Sequence, residues 1–142
     1  MSRPTLVIAL LLFVGSVPAA AAELTVYLSG AAPERGQFLV AVFSSEESWM
    51  KAPVSEATVP VSPSGAGEAI FRRMPAGTYG ISVIYDENRD GELNTNFLGI
   101  PTERFGFSNN AKASFGPPSW EKSRFDIRGD RLQITIRMDS AD

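Results

Sequence analysis

The stretch Ile81-Ser82-Val83-Ile84-Tyr85-Asp86-Glu87-Asn88-Arg89-Asp90-Gly91-Glu92-Leu93-Asn94 constrains the chain more than any other. From Tyr79 onward its first half alternates, with Tyr79, Ile81, Val83 and Tyr85 on one face and Ser82 and Ile84 on the other. That period of two is a strand. Its second half sets oxygen-bearing side chains at every other position around Gly91, with nothing apolar before Leu93. No strand or helix continues through such a run. A sheet strand must therefore end at Asp86 and open into an oxygen-rich loop.

The same alternation recurs elsewhere. Glu23 to Gly30 places Leu24, Val26 and Leu28 on one face, and Gln37 to Phe43 is nearly continuous apolar sequence suited to a central strand. Pro53 to Gly67 is broken by prolines and glycines, leaving room for one short edge strand around Thr58 to Val61. Glu68 to Met74 turns Ala69 and Phe71 inward and Arg72 outward. Pro75-Ala76-Gly77 reads as a tight turn, and Arg131 to Met138 as a closing strand. Ser44 to Met50 begins with a capping serine and acidic residues, predicting a short helix, with Trp49 sealing one end of the core. Six or so strands without a long helical pattern predict an all-β fold. The expected architecture is a single antiparallel β-sandwich of Greek-key type with at most a short helix.

Residues 1–22 read as a secretory signal peptide: Arg3, an apolar run from Leu6 to Val14, then Pro18 and four alanines. Residues 23–142 then form one domain with a net charge of −4, exported to the periplasm or the extracellular space. After cleavage it has no integral membrane segment, because the apolar run is shorter than the ~20 residues a spanning helix needs. Mild acidity argues against nucleic acid as a partner. The chain has no histidine and no cysteine. Triads, thiol chemistry and ordinary zinc sites are thereby excluded. A hydrolase would be left with a Ser-Lys pair or a carboxylate pair; none of Lys51, Lys112 and Lys122 sits in a recognisable catalytic motif, and the spacing does not call for a pair such as Glu103 with Asp86 or Asp90.

Laid on the twelve-residue EF-hand loop, Asp86, Asn88 and Asp90 take positions one, three and five, and Gly91 takes the sharp turn at six. Glu92 would offer its backbone carbonyl and Asn94 a side-chain oxygen. This pattern suits calcium. Phe97 stands where the bidentate glutamate belongs, so affinity should fall near ~10⁻⁴ to 10⁻³ M unless Glu103 or Asn96 returns to the site. An Asx-rich turn without an ion is the competing reading.

The segment 94–128 interrupts the strand rhythm with Phe97, Phe105, Phe107, Phe115, Trp120 and Phe125 among many Gly, Pro, Ser and Asn residues. A loop of this length is either packed or functional. Packed, it folds back over one sheet or one end of the sandwich. Functional, it presents Phe105, Phe107, Asn109, Phe115 and Trp120 to a carbohydrate, peptide or protein of the cell envelope.

Met74-Pro75-Ala76-Gly77-Thr78-Tyr79, Asp86 to Leu93, Asn94 to Pro101, Gly106 to Ala111 and Gly116-Pro117-Pro118-Ser119-Trp120 together resemble the DUF2141 family of exported bacterial proteins of unknown function. The resemblance implies export but no particular activity. The Pro-x-Gly-x-Tyr turn is similar to that of transthyretin-like and CnaB-like sandwiches and of carboxypeptidase regulatory domains. Asp86 to Asn94 is similar to the ion loop of staphylococcal surface B-repeats, with Asn94 where those carry Asp. These likenesses support a sandwich and leave its function open.

Overall fold

The computed structural model describes residues 15–16 and 21–139, so the expected signal segment lies almost wholly outside the described residues. Two sheets face each other. The first has the order β4-β1-β8, built from β1 (Ala21–Ser29), β4 (Gly67–Pro75) and β8 (Arg131–Arg137). The second has the order β3-β2-β5-β6, built from β2 (Gln37–Phe43), β3 (Ser55–Pro60), β5 (Gly77–Asp86) and β6 (Phe105–Phe107). A short β7 (Phe125–Ile127) pairs with the first residues of β5. The protein is an all-β sandwich. No helix among the described residues is long and apolar enough to cross a membrane.

The core between the sheets follows from the alternation. Leu24, Val26 and Leu28 of β1 meet Phe38, Val40 and Val42 of β2 and Tyr79, Ile81, Val83 and Tyr85 of β5, all buried. Burying each such side chain contributes about 1.5–3 kcal/mol, enough to hold the sandwich without disulfides. β3 is an edge strand, in keeping with Pro60 at its end, and runs from Ser55 rather than Thr58.

Four departures from the sequence reading have local causes. β1 starts at Ala21, two residues before Glu23, with Ala21 opposite Pro75 and Ala22 opposite Met74. β1 and β8 run parallel, whereas the other strand pairs are antiparallel. The turn after β7 crosses to the first sheet and brings the start of β8 beside the start of β1, where the Glu23 N–H donates to the Asp130 carbonyl at 2.9 Å. In β4 the alternation slips: a bulge opposite Ala22–Leu24, with Arg73 at φ 60°, turns Met74 into the core. The helix expected over Ser44–Met50 is a set of turns, capped by the Ser48 N–H donating to Ser45 Oγ at 3.2 Å and closed by Met50 at φ 59°. The short helix lies instead at α1 (Trp120–Ser123).

Trp49 does not seal an end of the core. It sits in a second cluster on the outer face of the second sheet, with Phe43 and Phe107 buried beside it and Phe105 and Trp120 packed against it. Its ring lies 5.1 Å from Phe43 and 5.8 Å from Trp120, and its indole N–H donates to the Pro118 carbonyl at 2.9 Å. Gly80 makes this possible, because a Cβ there would stand 2.9 Å from both indoles. The 94–128 segment thus folds back over one sheet, as a packed cover carrying β6, β7, α1 and a 3₁₀ turn at Ser108–Asn110.

Candidate functional site

β5 delivers Asp86 to the site by pairing. Asp86 lies opposite Gln37 in the β2–β5 register, and Gln37 Nε2 donates to Asp86 Oδ2 at 2.7 Å. The chain then curls around that carboxylate. The Asp90 N–H donates to Asp86 Oδ1 at 3.1 Å and the Gly91 N–H to Oδ2 at 2.9 Å. Gly91 takes φ 81°, the left-handed conformation in which a glycine avoids the Cβ penalty. Asp86 is completely buried. Buried carboxylates need partners, and these three donors supply them.

Asp90 is the exposed counterpart. Its Oδ1 accepts the Glu92 N–H at 2.9 Å, and its Oδ2 accepts the Asn94 amide at 2.8 Å and the Asn88 amide at 3.1 Å. The Glu92 N–H first, and then the Asn94 amide, hold the Asp90 carboxyl below its ordinary pKa. The Glu92 side chain is exposed, so the link to Asp90 is made by its backbone.

Glu103 completes the group. The chain leaves Asn94, makes a small closed loop and returns: Thr95 bridges Pro101, and the Thr102 N–H donates to the Asn94 carbonyl at 2.9 Å. This delivers Glu103, itself buried, over the first loop. Its Oε1 accepts the Glu87 N–H at 3.1 Å and its Oε2 the Asn94 N–H at 3.0 Å. Oxygens of Asp86, Asp90 and Glu103 lie within 4.8 Å of one another. Asn96 does not return. Its side chain accepts the Leu98 and Ile100 N–H groups and builds the tip of the small loop, leaving Phe97 almost fully exposed.

The electrostatics of this cluster are unbalanced. Among the described residues, no ion pair involves Asp86, Asp90 or Glu103. The nearby cations are engaged elsewhere: Arg35 pairs with Glu87 at 3.2 Å, and Arg89 donates to the Gly36 carbonyl at 3.3 Å. Asn94 Oδ1 is a buried acceptor without a donor. Three carboxylates and an idle amide oxygen could chelate a hard cation. Gln37 and Glu103 were the members hardest to find in sequence. Gln37 is set by strand register, and Glu103 reaches the site only because the small loop closes between Thr95 and Pro101.

The aromatic residues divide. Phe107 is buried, Phe105 and Trp120 are half-buried, and Asn109, at φ 61°, donates its amide to the carbonyls of Lys122 and Arg124. Phe115 is fully exposed. Between it and the small loop runs an apolar groove of about 880 Å³, lined by Ile84, Leu93, Ile100, Phe105 and Phe107 among others.

Fold and loops together define a small β-sandwich with an acidic, oxygen-rich site at one sheet end. A family described as "Uncharacterized protein conserved in bacteria (DUF2141)" matches residues 26–135, and the chain belongs to that family. No match was found among curated proteins or among solved structures.

Proposed function

We propose that the chain is an exported module of the cell envelope, with a binding or structural role, whose Asp86–Asn94 loop and Glu103 together hold a calcium ion. The observation that carries this reading is the convergence of the Asp86, Asp90 and Glu103 oxygens within 4.8 Å. Glu103 takes the place of the glutamate missing at position twelve. Asp86, Asp90 and Glu103 supply charge, Asn88 and Asn94 neutral oxygens, and Glu92 its backbone carbonyl. Glu103 comes from outside the twelve-residue loop and its two oxygens already accept the Glu87 and Asn94 N–H groups, which keeps the expected affinity near the ~10⁻⁴ to 10⁻³ M of extracellular modules. The ion would tie the end of β5 to the aromatic cover. The 1–22 signal pattern supports export, and cleavage after Ala20 rather than Ala22 would keep β1 whole.

Isothermal titration tests the site: one calcium-selective binding event is expected, lost in Glu103→Gln. Heat identical to the buffer blank, or equal binding by the variant, sinks the reading. A carbohydrate- or peptide-binding role for the aromatic segment is the second reading, favoured by Phe115 and Phe105 along one groove. Phe107, Trp120 and Asn109 take part in packing and are poorly placed to join it. A carboxylate-pair hydrolase is a poorer fit, since Asp86 is fully buried and bound by three donors.

A further inference from the structure

We propose that two copies of this chain associate through the face formed by the loops 95–102 and 113–119, each copy seating its Phe115 in the other's groove. The face is apolar far beyond the surrounding surface. Phe97 is 95% exposed, Phe115 112%, Leu98 68% and Ile100 53%, and Met50 adds a partly exposed edge. Neither loop contains a charged residue. Contiguous apolar surface of more than a few hundred Å² marks an interaction site on a soluble protein.

Phe115 also sits at φ 55°, a left-handed conformation that is unfavourable for a bulky side chain. A strained backbone holds a ring out in water. That arrangement is stabilised once the ring is buried by something outside the chain.

The partner is assigned to a second copy on two grounds. The first is self-complementarity. An exposed aromatic knob and an open apolar groove of about 880 Å³ lie side by side on one surface, and Phe115 itself forms part of the groove rim. A two-fold interface requires this pairing of knob and hole on one patch. The second is area. Two exposed phenylalanines offer about 300–500 Å². With Leu98, Ile100 and Met50 the patch approaches the ~800 Å² each partner contributes to a standard interface. Charge favours the same face, because two exported domains of net charge −4 repel elsewhere and meet at the loops that carry none. The one ion pair in the groove, Lys112 with Asp139 at 2.6 Å, is internally neutral.

Sedimentation velocity on the purified protein from about 1 to about 500 μM spans the dissociation constants such a face can produce. The expected result is a concentration-dependent dimer. Phe115→Asp and Phe97→Asp should each raise the dimer dissociation constant at least tenfold and leave the melting curve of the dilute monomer unchanged. Phe115→Ser provides the same test without an added charge. A monomer at every concentration overturns the proposal and leaves a peptide, glycan or lipid as the groove's occupant. A dimer that all three variants retain also overturns it, because the contact then lies on another face.

Discussion

Gly80→Ala is a substitution whose consequence can be worked out atom by atom. The new methyl carbon would stand 2.9 Å from Cζ3 of Trp49 and of Trp120, and 3.2 Å from Cε3 of Trp49. Carbon atoms pack at about 3.5–4.0 Å, so both rings must retreat by roughly 0.6 Å or more. Neither is free to do so. Trp49 is held by its bond to the Pro118 carbonyl and by Phe43 and Phe107, and Trp120 opens α1. Overpacking of this kind costs about 1–3 kcal/mol. In a domain of this size, that lowers Tm by about 4–15 °C. Trp49 and Trp120 are the only tryptophans, so indole fluorescence reports on this cluster alone. The variant should melt early and emit at longer wavelength while the sandwich keeps its far-ultraviolet circular dichroism. A Tm within about 1 °C of the parent, with unshifted emission, would refute the placement of the aromatic cover on β5.

Further outcomes follow from the same geometry. Ser108 Oγ accepts the buried Ile81 N–H at 2.9 Å, so Ser108→Ala leaves a main-chain donor unpaired. It should lose about 1–3 kcal/mol in urea denaturation, and a loss below ~0.5 kcal/mol would show that another group accepts the Ile81 hydrogen bond. Asp90 has a folded-state pKa depressed by the Glu92 N–H and the Asn94 amide. Its contribution is therefore present above the ordinary aspartate value of about 3.9 and is lost as pH falls through the lower folded value. The Glu92 amide resonance should titrate with a midpoint below that value; a midpoint at or above it contradicts the hydrogen-bond assignment.

The inner faces of β1 and β5 could be read from sequence because Leu24, Val26 and Leu28, and Tyr79, Ile81, Val83 and Tyr85, recur at every second position, and β2 because its nearly continuous apolar run suits a central strand. The outer face of β5 carries the same message less directly. Gly80 and Ser82 are small because Trp49, Trp120 and Phe107 crowd that side, a fact of tertiary packing rather than of period. Strand direction is equally hidden, since alternation in β8 is the same whether its neighbour runs parallel or antiparallel. The bulge at Arg73 left no glycine to mark it. Over Ser44–Met50 the turn is capped by Ser45 rather than by the leading Ser44, and the segment ends after one turn at Met50 and docks through Trp49 instead of extending a helix. At the site, Asp86 to Asn94 was legible because ligand spacing is local. Glu103 was legible only as a possibility, since its return depends on how the intervening loop closes.

The central claim, that these loops form a cation site, is tested most directly by thermal melts in EDTA, in calcium and in magnesium. At about 10 mM calcium, a dissociation constant of ~0.1–1 mM gives about 1.4–2.7 kcal/mol of stabilisation. That corresponds to a rise in Tm of about 5–12 °C. The account predicts a saturable, calcium-selective rise of that size, abolished by Glu103→Gln. An unchanged Tm at 10 mM calcium, or an equal rise in the variant, would contradict it and reduce Asp86 to Asn94 to a hydrogen-bonded turn.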